Sequence, residues 1–307
     1  MSIWQTKKWG EMLVASGQAE KVIEINGIYI EKRKVAMGEY GLFILGLEKD
    51  LSEKDVNELI NLCKKEKTLF LQVECFDYEK NSILNPFSNF RERGYKIREG
   101  YYKKFITPYT AVIDTSLTLD QILSNMKPKG RYNIKLAEKK GIQVLDVDKT
   151  DENIALFYKL MLETTSRDGF NGNTIDYYKT FLNTLENSKL LLAFYEGIVI
   201  AGGIFTFDSD ISIYYYGASS GDTRYRNLMS PYLLQWTAIK LAKENKSKLY
   251  DFLGVATPGD ENSPLAGVTD FKKKFTSDIR LVSDSYIFIN KKCKYFLINF
   301  LRKIKKG

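Results

Sequence analysis

The sequence predicts an α/β chain in which one unit, strands followed by a helix and a returning strand, is used twice. Three observations carry that expectation. The chain has 307 residues, about twice the usual domain size. Hydrophobic residues make up 44% against 27% charged, a balance that builds packed cores rather than disorder. Apolar patterning also alternates between strand and helix periods in the same order in both halves.

In the first half, residues 28–35 and 42–46 read as strands. Glu53–Lys65 reads as a helix with apolar Val56, Leu59, Ile60 and Cys63, and Leu69–Phe76 as the returning strand. The second half is larger. Glu152–Ser166 and Ile175–Glu186 are predicted helices, and Leu190–Tyr195, Ile198–Phe207 and Ile211–Gly217 predicted strands, the first two joined by a Glu196-Gly197 turn. Ser230 is expected to N-cap a helix with Pro231 at its first position. The apolar stripe of that helix is Leu234, Ala238, Leu241 and Ala242, and Lys248–Leu253 is the strand that follows. Thr107-Pro-Tyr-Thr110 reads as the crossover between halves. With no low-complexity linker and no long heptad insertion, no coiled-coil arm is expected.

Composition excludes whole classes of chemistry. Histidine is absent, which removes any His-based triad, His general base or His-ligated metal. Cys63, Cys75 and Cys293 are too few and too scattered for a disulfide framework or a thiolate zinc site. No metal and no cofactor are therefore expected. No segment reaches the roughly 18–20 apolar residues of a membrane span. The first ten residues hold no apolar run of signal-peptide length. A cytoplasmic chain is the expectation.

Charge is unevenly placed. Of the net +8, seven charges fall in the last 17 residues, on Lys291, Lys292, Lys294, Arg302, Lys303, Lys305 and Lys306, with no acid among them. That leaves +1 for residues 1–290. The tail interleaves these cations with Tyr295, Phe296, Leu297, Ile298, Phe300, Leu301 and Ile304. Two readings stand: a basic helix touching the inner face of the membrane through 291–307, or a terminal helix docked on the body with a solvated end. Two further basic clusters lie in the body. Lys127–Lys140 carries six positive charges and one negative, and Phe271-Lys-Lys-Lys-Phe275 sets three lysines between aromatics. Each suits phosphate contact, and each is also the pattern of an ordinary solvated face.

What remains for catalysis is positioning and electrostatics by Lys, Arg, Tyr and backbone amides. Four motifs stand out. Lys129-Gly-Arg-Tyr-Asn-Ile-Lys135 opens a basic helix closed by Gly141. In Thr165-Ser-Arg-Asp-Gly-Phe170, Arg167 ends a helix and Gly169 turns the chain, with Tyr177 beyond. Ile213-Tyr-Tyr-Tyr-Gly-Ala-Ser-Ser220 runs into Arg224–Pro231 ahead of a helix N-terminus, which attracts anions. Tyr250-Asp-Phe-Leu-Gly254 precedes Gly267–Phe275 and its lysines. Strand, basic loop, helix and strand is the order of GNAT acyltransferases. Their acetyl-CoA loop needs glycines, so that backbone amides reach the pyrophosphate. Arg224–Ser230 has none, which argues against acetyl-CoA as donor.

With Trp4-Gln-Thr-Lys-Lys-Trp-Gly10 at the start, these motifs resemble the Fem (FemABX) family of aminoacyltransferases. The likeness runs in order through Tyr-Gly-Ala-Ser, Pro-Tyr, Gln-Trp, Tyr-Asp-Phe-Leu-Gly and Phe-Lys. It implies two GNAT-like domains in tandem, here 1–109 joined by 284–307, and 110–283. It implies non-ribosomal transfer of an amino acid from aminoacyl-tRNA to the stem peptide of a peptidoglycan precursor. Such transfer serves cell-wall biogenesis and cell shape. By the same resemblance Phe271 and Lys272 hold the donor-handling and catalytic position, and Tyr216 and Tyr177 contact the precursor. Glu74 falls where an acid lies near the cleft. The basic clusters then supply tRNA contacts through Lys129, Arg131, Lys135, Lys273 and Lys274. Members that use UDP-MurNAc-pentapeptide carry cations where this chain has Leu13 and Asn173. Either Lys7, Lys8 or Arg167 substitutes at the pyrophosphate, or the acceptor is lipid II. Two alternatives are a GNAT-fold acyltransferase with another donor or acceptor, and a non-catalytic tRNA- or membrane-binding module.

Overall fold

A computed structural model describes residues 2–79, 85–87 and 96–304. Lys305 and Lys306 of the basic tail lie outside the described residues. In chain order, α1 (Lys7–Ala15) leads to β1 (Lys21–Ile25), β2 (Ile28–Lys34), β3 (Tyr40–Leu47), α2 (Glu53–Lys65), β4 (Phe70–Cys75) and β5 (Ile97–Glu99). Next come β6 (Tyr109–Asp114), α3 (Leu119–Asn125), α4 (Pro128–Lys139), β7 (Gln143–Val147), α5 (Asp151–Asp168) and α6 (Ile175–Thr184). Then follow β8 (Ser188–Tyr195), β9 (Ile198–Thr206), β10 (Ile211–Ser219), α7 (Thr223–Arg226) and α8 (Ser230–Glu244). The chain ends with β11 (Leu249–Val255), α9 (Ala266–Lys272), β12 (Ile279–Leu281), β13 (Ser285–Ile289) and α10 (Lys292–Ile304).

These elements form two units, Met1–Pro108 with Leu281–Gly307, and Tyr109–Arg280. The first holds a six-stranded sheet ordered β1-β2-β3-β4-β13-β5. Asn26 and Gly27, with φ of 52° and 72°, make the tight turn of the β1–β2 hairpin. A capping box between Ser52 and Asp55 starts α2. Its buried Val56, Leu59, Ile60 and Cys63 pack with Ile30, Leu42, Ile44 and Leu71. The strand of residues 285–289 slots between β4 and β5, so this unit is completed by a segment distant in sequence.

The second unit holds a seven-stranded sheet ordered β12-β6-β11-β10-β9-β8-β7. Glu196 and Gly197, with φ of 49° and 77°, form the predicted turn between β8 and β9. The core is built from Leu191, Phe205, Ala238, Ile239, Tyr250 and Phe252. The start of α8 differs from expectation by one position. Met229, in the left-handed region at φ 57°, is the N-cap, and Ser230 and Pro231 are the first two helical residues.

The duplication takes a specific form. Among the described residues each unit contains a parallel strand pair bridged by a helix, β3–α2–β4 in the first and β10–α8–β11 in the second. Parallel neighbours need such a crossover. Among the described residues no helix is long and apolar enough to cross a membrane.

Candidate active site

The decisive local event lies between β10 and β11. They pair in parallel only through Ile211–Ile213 against Leu249–Asp251, yet β10 runs on to Ser219 and β11 to Val255. Both strands bulge where they part. β10 slips a residue against β9 between Tyr214 and Tyr216, and β11 slips against β6 between Asp251 and Gly254. A bulge bends its strand and breaks the ladder. In β11 the device is explicit. The fully buried Asp251 carboxylate accepts the Leu253 amide at 2.7 Å and the Thr110 hydroxyl, and Leu253 sits at φ 57°.

Lys272 is locked to that bulge. Its Nζ donates to the carbonyls of Leu253 (3.2 Å) and Gly254 (2.7 Å). The side chain is 6% exposed. Burial lowers the ammonium pKa to about 8, against the opposing pull of the Asp251 charge. Helix α9 is held in place by Thr269, whose hydroxyl accepts the Ala256 amide at 2.8 Å and donates to the Leu265 carbonyl at 2.7 Å. Phe271, one residue before the lysine, packs edge-on to Tyr232 and Phe275.

Phe271 also lines a cavity of about 520 Å³, together with Arg167, Arg226, Ser219 and the first residues of α8, Ser230 and Pro231. Two guanidinium groups and a helix N-terminus, set against the Asp222 carboxylate on the same wall, suit a strongly polar or anionic ligand. Arg167 is the last basic residue of α5, which ends in the left-handed Gly169. Its guanidinium is oriented by Asp168 (2.8 Å) and by the Ser219 carbonyl (3.4 Å).

The β10 bulge sorts three consecutive tyrosines. Tyr214 stacks on Phe205 toward α8, whereas Tyr215 and Tyr216 both meet Phe181 of α6. Gly217 makes room for this, since a Cβ there would lie 1.5 Å from the Tyr214 hydroxyl oxygen. Tyr216 and Tyr177, singled out separately in sequence, share a hydroxyl–hydroxyl hydrogen bond of 2.8 Å. Burial holds the Tyr216 phenol well above its ordinary pKa, so it works as a neutral donor or acceptor.

The two internal basic clusters meet. The Lys127 amide donates to the Lys274 carbonyl at 3.0 Å, and a Cβ on Gly130 would lie 2.4 Å from that same oxygen. Only glycine permits this approach of α4 to the end of α9. Lys129, Tyr132 and Lys135 are exposed on α4 while Lys273 and Lys274 are half-buried. Arg131 is directed elsewhere, donating to the Ser124 and Met126 carbonyls at the C-terminal end of α3.

The remaining predicted residues lie in the first unit and do not converge. Glu74 on β4 is fully buried. It accepts the amides of Phe105 (3.0 Å) and Ile106 (2.7 Å) and the Gln72 side-chain amide (2.6 Å). Burial raises its pKa to about 7 despite those donors. Its oxygens brace the segment leading to the second unit. Lys7 and Lys8 sit on α1 near Glu11, and Lys7 edges a largely apolar groove with Val14, Val22 and Tyr29. Leu13 is a core residue, 1% exposed. Sequence reasoning missed Asp251, Thr110 and Arg226. The available signal for Asp251 was a lone acid inside an apolar strand, two residues before Leu-Gly. Among the described residues no cluster of three acidic or cysteine side chains could hold a metal ion.

A paired-unit α/β chain with one opened parallel pair defines the class, and comparison gives the family. The FemAB family model matches residues 48–196 and 193–303. The chain belongs to the FemAB family. Among relatives, the lipid II:glycine glycyltransferase of Staphylococcus epidermidis is 24% identical over 89% of this chain and 83% of its own. That of Staphylococcus saprophyticus is 24% identical over 86% and 80%. Among solved structures, FemX superposes with a TM-score of 0.77 at 19% identity, covering 97% of this chain and 94% of its own. L-PGS from Bacillus licheniformis gives 0.58 at 14%, covering 95% and 91%.

Proposed function

We propose that this chain is an aminoacyltransferase that moves an amino acid, glycine in the first instance, from aminoacyl-tRNA to the stem-peptide amine of lipid II, building a peptidoglycan bridge. The observation that carries this reading is the opened β10–β11 pair, with Lys272 fixed at its bulge and Phe271 on the adjacent cavity. The relatives' named activity supplies the substrate class.

In this reading the neutral amine attacks the ester carbonyl of the charged tRNA. The new C–N bond forms, the ester C–O bond breaks, and the ribose oxygen leaves as a hydroxyl. Lys272 spends two of its N–H bonds on the Leu253 and Gly254 carbonyls, and the third is available to the developing oxyanion or to the departing ribose oxygen. Its pKa near 8 keeps it mainly cationic at neutral pH and makes proton donation easier than from an ordinary lysine. The Tyr177–Tyr216 pair orients the acceptor peptide, with Arg167 toward its anionic part, and Phe271 handles the donor beside Lys272. Lys129, Lys135, Lys273 and Lys274 engage tRNA phosphates, and the last two of these cations directly follow the reactive lysine at the C-terminal end of α9. Lipid II is preferred over a nucleotide-linked acceptor because the relatives' named activity is on lipid II, and the buried Leu13 offers no cation to a pyrophosphate drawn into the protein rather than left at the membrane surface.

The test is a transfer assay with a mixed pool of radiolabelled aminoacyl-tRNAs, offering lipid II and UDP-MurNAc-pentapeptide in parallel. Label on lipid II supports the reading. Label on the nucleotide precursor alone moves the phosphate contact to Lys7, Lys8 or Arg167, and label on neither overturns it.

A further inference from the structure

Helix α10 has two apolar faces, and only one of them is used. On the inner face Tyr295 and Ile298 are buried, and the Tyr295 ring meets Phe70 edge-on at 5.7 Å. Polar ties fix the helix near both ends. Lys291 and Lys294 bond Glu39 at 3.0 and 2.7 Å. The Arg302 guanidinium lies 3.9 Å over the Tyr102 ring and donates to the Tyr102 carbonyl at 3.0 Å.

The outer face carries Phe296 (53% exposed), Leu297 (53%), Phe300 (62%) and Ile304 (60%). Their spacing of three and four residues lines them along one side of the helix. Two phenylalanines and two aliphatic residues held rigidly in water form an exposed stripe that a soluble surface rarely keeps without a partner. The rim is cationic. Lys292 is exposed, Arg98 stands 6.0 Å from the Phe296 ring, and residues 291–307 contain no acid, while exposed Lys294 is shared with Glu39.

We propose that the outer face of α10 is a membrane-docking surface that beds its apolar stripe into an anionic lipid leaflet, with the flanking cations at the headgroups. Charge chooses this occupant over a second copy of the chain. Two such faces would bring like-charged rims together, whereas anionic headgroups complement them. The helix is too short to cross the bilayer, so it lies in the plane of the interface.

The experiment sediments the full chain with vesicles of phosphatidylglycerol mixed with phosphatidylcholine, and with phosphatidylcholine alone. The vesicles contain no peptidoglycan precursor, so the outcome is independent of the transfer reading. Binding to the anionic vesicles, weakened by salt, is expected, with about tenfold or greater loss in a Phe296→Ser, Leu297→Ser, Phe300→Ser triple variant. A Lys292→Glu variant, which touches no core residue, is expected to lose about threefold or more. Cys293 lies on the same side and is exposed, while Cys63 and Cys75 are buried. An environment-sensitive dye on Cys293 should therefore shift to the blue with anionic vesicles only. Equal binding to neutral vesicles, undiminished binding of both variants, or a dimer that the triple variant dissociates while no vesicle binding is seen would overturn the proposal.

Discussion

The two units solve the same local problem in opposite ways. Each sheet contains a parallel pair bridged by a helix, and each pair's second strand carries a buried acid. In the first unit β3 and β4 stay in register from Leu42–Leu71 to Leu45–Glu74, slip one residue at Gly46, and pair again at Leu47–Cys75. Glu74 there reaches across to the amides of Phe105 and Ile106 and ties down a neighbouring segment. In the second unit Asp251 instead turns back on its own strand, capturing the Leu253 amide, and the pair ends at that residue. One acid closes a sheet and the other opens one. The Leu253 and Gly254 carbonyls freed at that opening hold Lys272, so whether the pair stays closed or parts follows where one carboxylate finds its donors.

Asp251→Ala should therefore damage the second unit most. It leaves the Leu253 amide and the Thr110 hydroxyl without a buried acceptor, a loss of about 3 kcal/mol. Denaturant melting would show it, and a loss below about 1 kcal/mol would mean that the bulge is held by something else. The two units should also respond to pH in opposite senses. Glu74, raised to about 7 from its usual 4.5, binds more protons folded than unfolded between those values. The stability it contributes is present at low pH and is lost as pH climbs through 7. Lys272, lowered to about 8 from 10.5, binds fewer protons folded, so stability rises with pH between 8 and 10.5. Each effect is on the order of 3 kcal/mol at its limit. Glu74→Gln and Lys272→Met should each flatten its own window in a pH series of unfolding curves and leave the other window intact.

Smaller changes sharpen the picture inside the second unit. Gly130→Ala places a methyl against the Lys274 carbonyl and should cost about 2 kcal/mol. It should weaken tRNA binding more than acceptor binding, read as separate dissociation constants. Tyr216→Phe removes only the hydroxyl bond to Tyr177. It should cost about 1 kcal/mol and raise the acceptor KM several-fold with little change in kcat.

What could be read in the sequence follows the range of the forces involved. The helix of residues 53–65 was legible because its buried positions recur at helical spacing. The Glu196-Gly197 turn was legible because a two-residue hairpin demands left-handed φ. The Thr107–Thr110 crossover falls where the two units divide, at Pro108 and Tyr109, but strand β6 that starts there went unread because its partners β11 and β12 lie more than a hundred residues away. The site followed the same division. Tyr177 and Tyr216 were flagged, but the bulge that turns Tyr216 toward α6 depends on how β10 pairs with β9. Lys129 and Lys274 looked like two independent charge runs, and their meeting rests on one missing Cβ at Gly130. Arg131 was indistinguishable from its neighbours until its guanidinium was found on the end of α3. Charge type is written in a sequence, whereas the direction a charge faces is decided by contacts distant along the chain.

Under the proposed function, transfer takes place at the opened pair of the second unit, with Lys272 at its bulge. The most direct measurement is the single-turnover rate of glycine transfer from glycyl-tRNA to lipid II by the intact chain and by Lys272→Met, with folding of both checked by melting. If Lys272 stabilises the transition state, the variant's rate is about 10²–10³ lower, with tRNA binding nearly unchanged. A folded variant that transfers at the full rate would contradict that role.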